Sequence, residues 1–131
     1  MRSINPASAP AGSPTLFPTL NPNSWDAPQR GAVGVLASYG NSIAIDLNLK
    51  PNFTHATTEN TTLAAPTNTP VPGQSGFIVF TQGNTPYSIA FNTVWNLPNG
   101  LPAMNVANSS WVMYYTVLTS TWVDCYIRAK A

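Results

Sequence analysis

Charge is what this sequence has least of. Lys, Arg, Asp and Glu make up 7% of its 131 residues, against about a quarter in typical soluble proteins. The net charge is +1 at neutral pH. Such a chain has no long-range field to steer it to nucleic acid or to an anionic membrane. Its polar surface must be built from Asn, Thr, Ser and Gln, and a near-neutral surface favours association over solitary solubility. The expected partners are proteins, with neither nucleic acid nor membrane among them.

Other scarcities exclude chemistry. Cys125 is the single cysteine, so no disulfide forms within the chain. In the alternating run from Thr121 to Arg128 it reads as a small buried hydrophobe. A chain without a disulfide framework suits synthesis in a reducing cytoplasm. His55 is the single histidine, and no spacing of His, Cys and carboxylates matches a zinc site. Gly73-Gln74-Ser75-Gly76 does not match a nucleophile elbow. Asp46, Glu59 and Asp124 carry no spacing that would pair them as acid and base. Neither a phosphate-binding loop nor a dinucleotide fingerprint occurs. No catalytic residue, metal or cofactor is expected, and His55 reads as a surface or hydrogen-bonded strand residue. The longest apolar run, Trp111 to Leu118, falls far short of the roughly 20 residues of a membrane span. Pro6 and Pro10 break any apolar stretch near the N-terminus, so no signal peptide is expected. No helical period of useful length is found.

What is abundant is proline and β-patterned residues. Pro6, Pro10, Pro14, Pro18 and Pro22 recur at every fourth position, and Pro28 follows. Proline lacks the N–H that a helix or ladder needs, and it pushes its predecessor to extended angles. Residues 1–30 therefore read as an extended arm. Ile4, Leu16, Phe17, Leu20 and Trp25 are apolar pegs along it. Disordered linkers are usually poor in such residues, so the arm is expected to lie on a partner through those five.

Residues 31–131 read as one compact β domain. Ser42 to Leu49 alternates, with Ile43, Ile45, Leu47 and Leu49 on one face, the period of a half-buried strand. Further strands are expected at Phe53–Thr58, Gly76–Thr81, Tyr87–Phe91, Trp111–Thr119 and Thr121–Ala129, and more weakly at Ala103–Ala107. Turns are expected at Tyr39-Gly40-Asn41, at Pro72-Gly73 and at Gly83-Asn84. The last two long strands, divided near Ser120, should pair as a hairpin. The expected class is all-β, an antiparallel sandwich or jelly-roll-like small barrel of about eight strands.

The aromatics crowd the C-terminal half. In a row and exposed, they would suit stacking on sugar rings. Buried, they would form core and subunit interface, where Trp and Tyr are enriched. Both faces of Trp111 to Leu118 are largely apolar, which asks for cover on both sides. Trp111, Met113, Tyr114, Tyr115 and Trp122 are therefore expected at an interface between copies of the chain.

Five pieces in order carry a resemblance: Leu63-Ala64-Ala65-Pro66-Thr67-Asn68, Pro72-Gly73-Gln74-Ser75-Gly76, an apolar strand ending Thr81-Gln82, Ala90-Phe91, and Trp95. Together they resemble a β module of tailed-bacteriophage virion proteins, found in capsid decoration (cement) proteins and in tail-fibre or tail-spike segments. The likeness spans roughly residues 43 to 128. Asn84-Thr85-Pro86 stands where the module usually has a polar, Gly-rich hairpin. The resemblance implies a structural virion protein without catalytic residues, and a homotrimer. The expectation is a cement protein on the capsid exterior that clamps the major capsid protein or another virion protein, stabilising the assembled shell by mass action. The alternative is a tail-fibre or tail-spike module, with host glycan as a candidate ligand.

Overall fold

A computed structural model describes residues 30–130. The expected arm anchors Ile4, Leu16, Phe17, Leu20 and Trp25 lie outside the described residues. Within them the chain forms strands and loops and no helix. The strands are β1 (Val33–Val35), β2 (Ser38–Tyr39), β3 (Ser42–Ile43), β4 (Asn52–Ala56), β5 (Thr61–Leu63), β6 (Ser75–Thr81), β7 (Ile89–Phe91), β8 (Trp95–Asn96), β9 (Ser110–Thr119) and β10 (Trp122–Ala129). They make a six-stranded sheet, β1-β4-β6-β9-β10-β8, and a four-stranded sheet, β2-β3-β5-β7.

The all-β class holds, but the sheets are mixed rather than antiparallel. From β3 to β8 the chain crosses from one sheet to the other at every connection. Each return to a sheet therefore runs in the same direction as the strand before it. β1 pairs with β4, and β4 with β6, in parallel. In the second sheet β3 pairs with β5, and β5 with β7, also in parallel. Three stacked turns of a two-sheet coil result. Parallel neighbours normally require a long crossover, and here a strand of the opposite sheet supplies it. The hairpin β9–β10 then adds antiparallel strands to the larger sheet. β8 lies beyond it, parallel to β10.

Period-two alternation survives in the packing. Phe53, Ile78, Phe80, Met113, Tyr115, Val117, Val123 and Cys125 from the larger sheet meet Ile43, Leu63 and Ile89 from the smaller one in a single buried cluster. Trp95 caps it. Its ring stands edge-on to Tyr115 at 6.4 Å, and its indole N–H donates to the Ala64 carbonyl at 2.9 Å. Fully burying a side chain of this size contributes about 1.5–3 kcal/mol.

Local expectations divide. Gly40 and Asn41 both have positive φ, 59° and 64°, as a two-residue primed hairpin turn between β2 and β3 requires. Gly73, at φ 93°, follows Pro72 in a turn closed by the Gln74 N–H on the Val71 carbonyl. Pro then Gly is the demand of a type II turn. Gly83-Asn84 has no left-handed residue; the chain there turns in ordinary backbone angles. Ser42 to Leu49 is strand only over Ser42–Ile43. Ile45 and Leu47 still point inward, but Leu49 is exposed, because a turn at Asp46–Leu49 takes over. Residues 103–107 are irregular.

Two polar hubs, one buried and one half-buried, tie loops to the core. Gln82 is 2% exposed. Its amide nitrogen donates to the carbonyls of Tyr87 (2.7 Å) and Met104 (3.0 Å). Its amide oxygen accepts from the Thr57 hydroxyl (2.6 Å) and the Tyr87 N–H (3.0 Å). Gln74 forms the second hub, donating to the Leu47 carbonyl and the Tyr115 hydroxyl. The Tyr115 hydroxyl in turn donates to the Pro51 carbonyl at 2.5 Å.

Candidate association surface

The residues with catalytic potential are dispersed, and the carboxylates are already engaged. His55 is buried in β4, not at the surface. Its Nδ1 lies 2.9 Å from the Leu36 carbonyl, and its ring stands edge-on to Phe80. Asp46 accepts from the Asn48 N–H and from the Asn68 amide. Glu59 accepts from the Ser38 hydroxyl and the Asn41 N–H, which fixes the β2–β3 turn. Asp124 accepts from the Asn96 amide. Among the described residues no three of His, Cys, Asp and Glu gather where they could hold a metal ion. Cys125 is buried, and burial, with the charge of Asp124 next to it, pushes its thiol up to about 12. It is a poor nucleophile there, because the thiolate is the reactive form.

A cleft of about 290 Å³ lies beside β1, lined by Val35, Leu36, Ile45, Leu49 and Phe53 among others, with Asp46 and Lys50 contributing charge. Asp46 spends one carboxylate oxygen on the Asn48 N–H of its own turn and the other on the Asn68 amide.

The larger feature is the outer face of the six-stranded sheet. Strand register builds it in rows. One row runs Val35, Thr54, Val79, Val112, Arg128. Another passes from Val33 and Asn52 to Phe77, Tyr114 and Tyr126. A third runs Ser75, Thr116, Asp124, Asn96. Leu118 and Trp122 extend the face at the hairpin end. Val35 is 84% exposed, Tyr126 54%, Trp122 48% and Tyr114 42%. Large apolar side chains scattered singly are ordinary on a protein surface, but a contiguous set marks a contact site. The charges on these rows are Arg128 and Asp124. Arg128 donates to the Tyr114 hydroxyl at 3.1 Å and lies over the Tyr114 ring.

The interface expected from sequence is corrected by this geometry. Met113 and Tyr115 point into the core, so no partner can reach them. Trp111 shares their side of β9, half-buried, with its indole N–H on the Ser109 hydroxyl. Only Tyr114 and Trp122 of the five lie on the outer face. Neighbouring residues of a strand point to opposite sides, so Tyr114 and Tyr115 cannot serve one surface. Sequence reasoning missed Phe77, Asp124, Tyr126 and Arg128. Their signal was parity: Val123, Cys125 and Ile127 mark the inward side of β10, which sends 124, 126 and 128 outward.

Comparison with family models, with curated proteins and with solved structures found no match to this chain.

Proposed function

We propose that this chain is a structural component of a tailed-phage virion, acting by association rather than by chemistry. The observation that carries this reading is the outer face of the six-stranded sheet, broad, aromatic and nearly free of charge. The virion context rests on the sequence resemblance, whose quoted pieces fall on the end of β5 and the loop after it, the Pro72-Gly73 turn, β6, β7 and β8.

Two positions on a particle fit. As a cement protein on the capsid exterior, the domain would use this face to clamp the major capsid protein or another shell subunit. As a tail-fibre or tail-spike module, it would form one segment of a projecting shaft. The parallel coil favours the tail position. Stacked turns add along one axis and suit an elongated projection, whereas a shell clamp has no need of them.

Gold-labelled antibody against the domain, applied to purified particles, tests the reading. Label on the tail supports the fibre module, and label on the shell supports the cement protein. Particles without the chain, or hydrolysis of host polysaccharide by the pure protein, would overturn a structural virion role.

A further inference from the structure

We infer that the outer face of the six-stranded sheet is covered by a second copy of this chain, packed antiparallel across strand β10. The inference rests on the association reading above and names the occupant of that face. Three observations support it.

The first is size. Six strands of these lengths span roughly 25 Å by 25 Å, on the order of 600 Å² in projection and more in accessible surface. That approaches the roughly 800 Å² per partner of a stable interface. The second is composition. The centre of the face holds Phe77, Tyr114 and Tyr126 in register, and interface cores are enriched in aromatics and depleted of charge.

The third is the placement of the two charges. Asp124 and Arg128 stand on the same strand and the same face, two residues to either side of Tyr126. A two-fold axis in the plane of the interface, crossing β10 at Tyr126, brings Asp124 of one copy opposite Arg128 of the other, twice. An isologous contact demands this self-complementarity. Parallel packing would instead set like charges together, at a cost. β8 pairs with β10 only at Val123 and Asp124, so the stretch of β10 through Tyr126 and Arg128 is not flanked by β8.

Sedimentation of the full chain over a concentration series tests this. Wild type should reach a mass of two chains. Asp124→Arg alone and Arg128→Asp alone should each weaken association at least tenfold, because each leaves like charges facing across the axis. The double exchange should restore association to within a few-fold of wild type, because it rebuilds both opposite-charge pairs across the axis. Tyr126→Glu should give a monomer whose circular dichroism matches wild type and whose melting matches wild type diluted until the dimer dissociates, since Tyr126 is exposed. A wild-type monomer at high micromolar concentration overturns the inference, whether oligosaccharide or another part of the same chain then covers the face. A trimer, or charge variants without effect on a dimer, overturns the two-fold register. Failure here leaves the virion reading intact if the chain is still found on particles, and absence from particles leaves the dimer intact.

Discussion

Gln82 shows how one residue can hold a loop-rich core together. It makes four hydrogen bonds from a buried site, two as donor and two as acceptor. Replacing it with Leu leaves the Tyr87 carbonyl and N–H without partners, while the Met104 carbonyl keeps the Val106 N–H and the Thr57 hydroxyl keeps the Thr81 carbonyl. Each such loss costs about 1–3 kcal/mol, so Gln82→Leu should lower stability by about 3 kcal/mol or more in urea unfolding. Gln82→Glu should also destabilise, because a carboxylate keeps the acceptor role but presents no N–H to the Tyr87 and Met104 carbonyls. Cys125 and Tyr115 govern the alkaline side. Burial makes both weaker acids, moving the Cys125 pKa from 9.0 to about 12 and the Tyr115 pKa upward from 10.0, the latter partly offset by the Gln74 hydrogen bond. A proton held more tightly folded than unfolded stabilises the fold fully below the unfolded pKa, and that stability is lost as pH rises through the folded one. The melting temperature should therefore fall between pH 9 and 12. Cys125→Val should flatten the decline, and an aromatic disulfide reagent at pH 8 should label the wild-type thiol only on unfolding. The sequence made the buried hydrophobe at 125 legible through alternation. It could not reveal Gln82, because a polar residue beside Gly83 and Asn84 looks like any other turn residue until its partners, distant in the chain, come together.

At the scale of elements, the decisive contact lies where β6 passes the Pro51-Asn52 corner. A Cβ built on Gly76 would stand 1.9 Å from the Pro51 carbonyl oxygen and 2.9 Å from the Asn52 side-chain oxygen. Those groups are not free to move. The Pro51 carbonyl accepts from the Tyr115 hydroxyl, and the Asn52 oxygen accepts from the Phe77 N–H. Gly76→Ala must push β6 away from the corner and break both bonds, so it should cost about 2–4 kcal/mol, at the upper end of overpacking penalties. Gly83→Ala is the control, since nothing lies within 4 Å of its Cβ position and its φ is ordinary; it should change the urea midpoint little. This also marks a boundary of sequence reasoning. Pro72-Gly73 announces its turn by chemistry local to four residues. Gly76 inside an apolar strand signals only that some backbone approaches closely, and the identity of that backbone is a property of the fold. Strand direction was hidden for the same reason. Alternation and turn residues are the same for parallel and antiparallel neighbours, so the strands and their inward faces could be read while the pairing could not.

For the whole molecule, the coil predicts how the chain folds. Val33 pairs with Asn52, Phe53 with Ile78, Ile43 with Leu63, and Leu63 with Phe91. Each of these closures spans roughly 20 residues or more, and loop entropy must be overcome before the contact stabilises anything. The extended local pairing is the β9–β10 hairpin, where Val123 meets Val117 and Cys125 meets Tyr115 across a tight connection. The hairpin should form first and offer β9 as the template on which β6 docks, after which the remaining turns of the coil assemble. Refolding by stopped flow should then fall in the millisecond-to-second range typical of non-local β folds. Two buried positions separate the hairpin from the coil, Val123 in β10 and Leu63 in β5, both with no exposed surface. Val123→Ala and Leu63→Ala should each destabilise, the latter by about 2–5 kcal/mol. Val123→Ala should act mainly by slowing folding, with a φ-value above about 0.5, whereas Leu63→Ala should act mainly by speeding unfolding, with a φ-value below about 0.3. The reverse pattern would mean that the coil nucleates and the hairpin docks on it, an order in which the long-range closures precede the one extended local pairing.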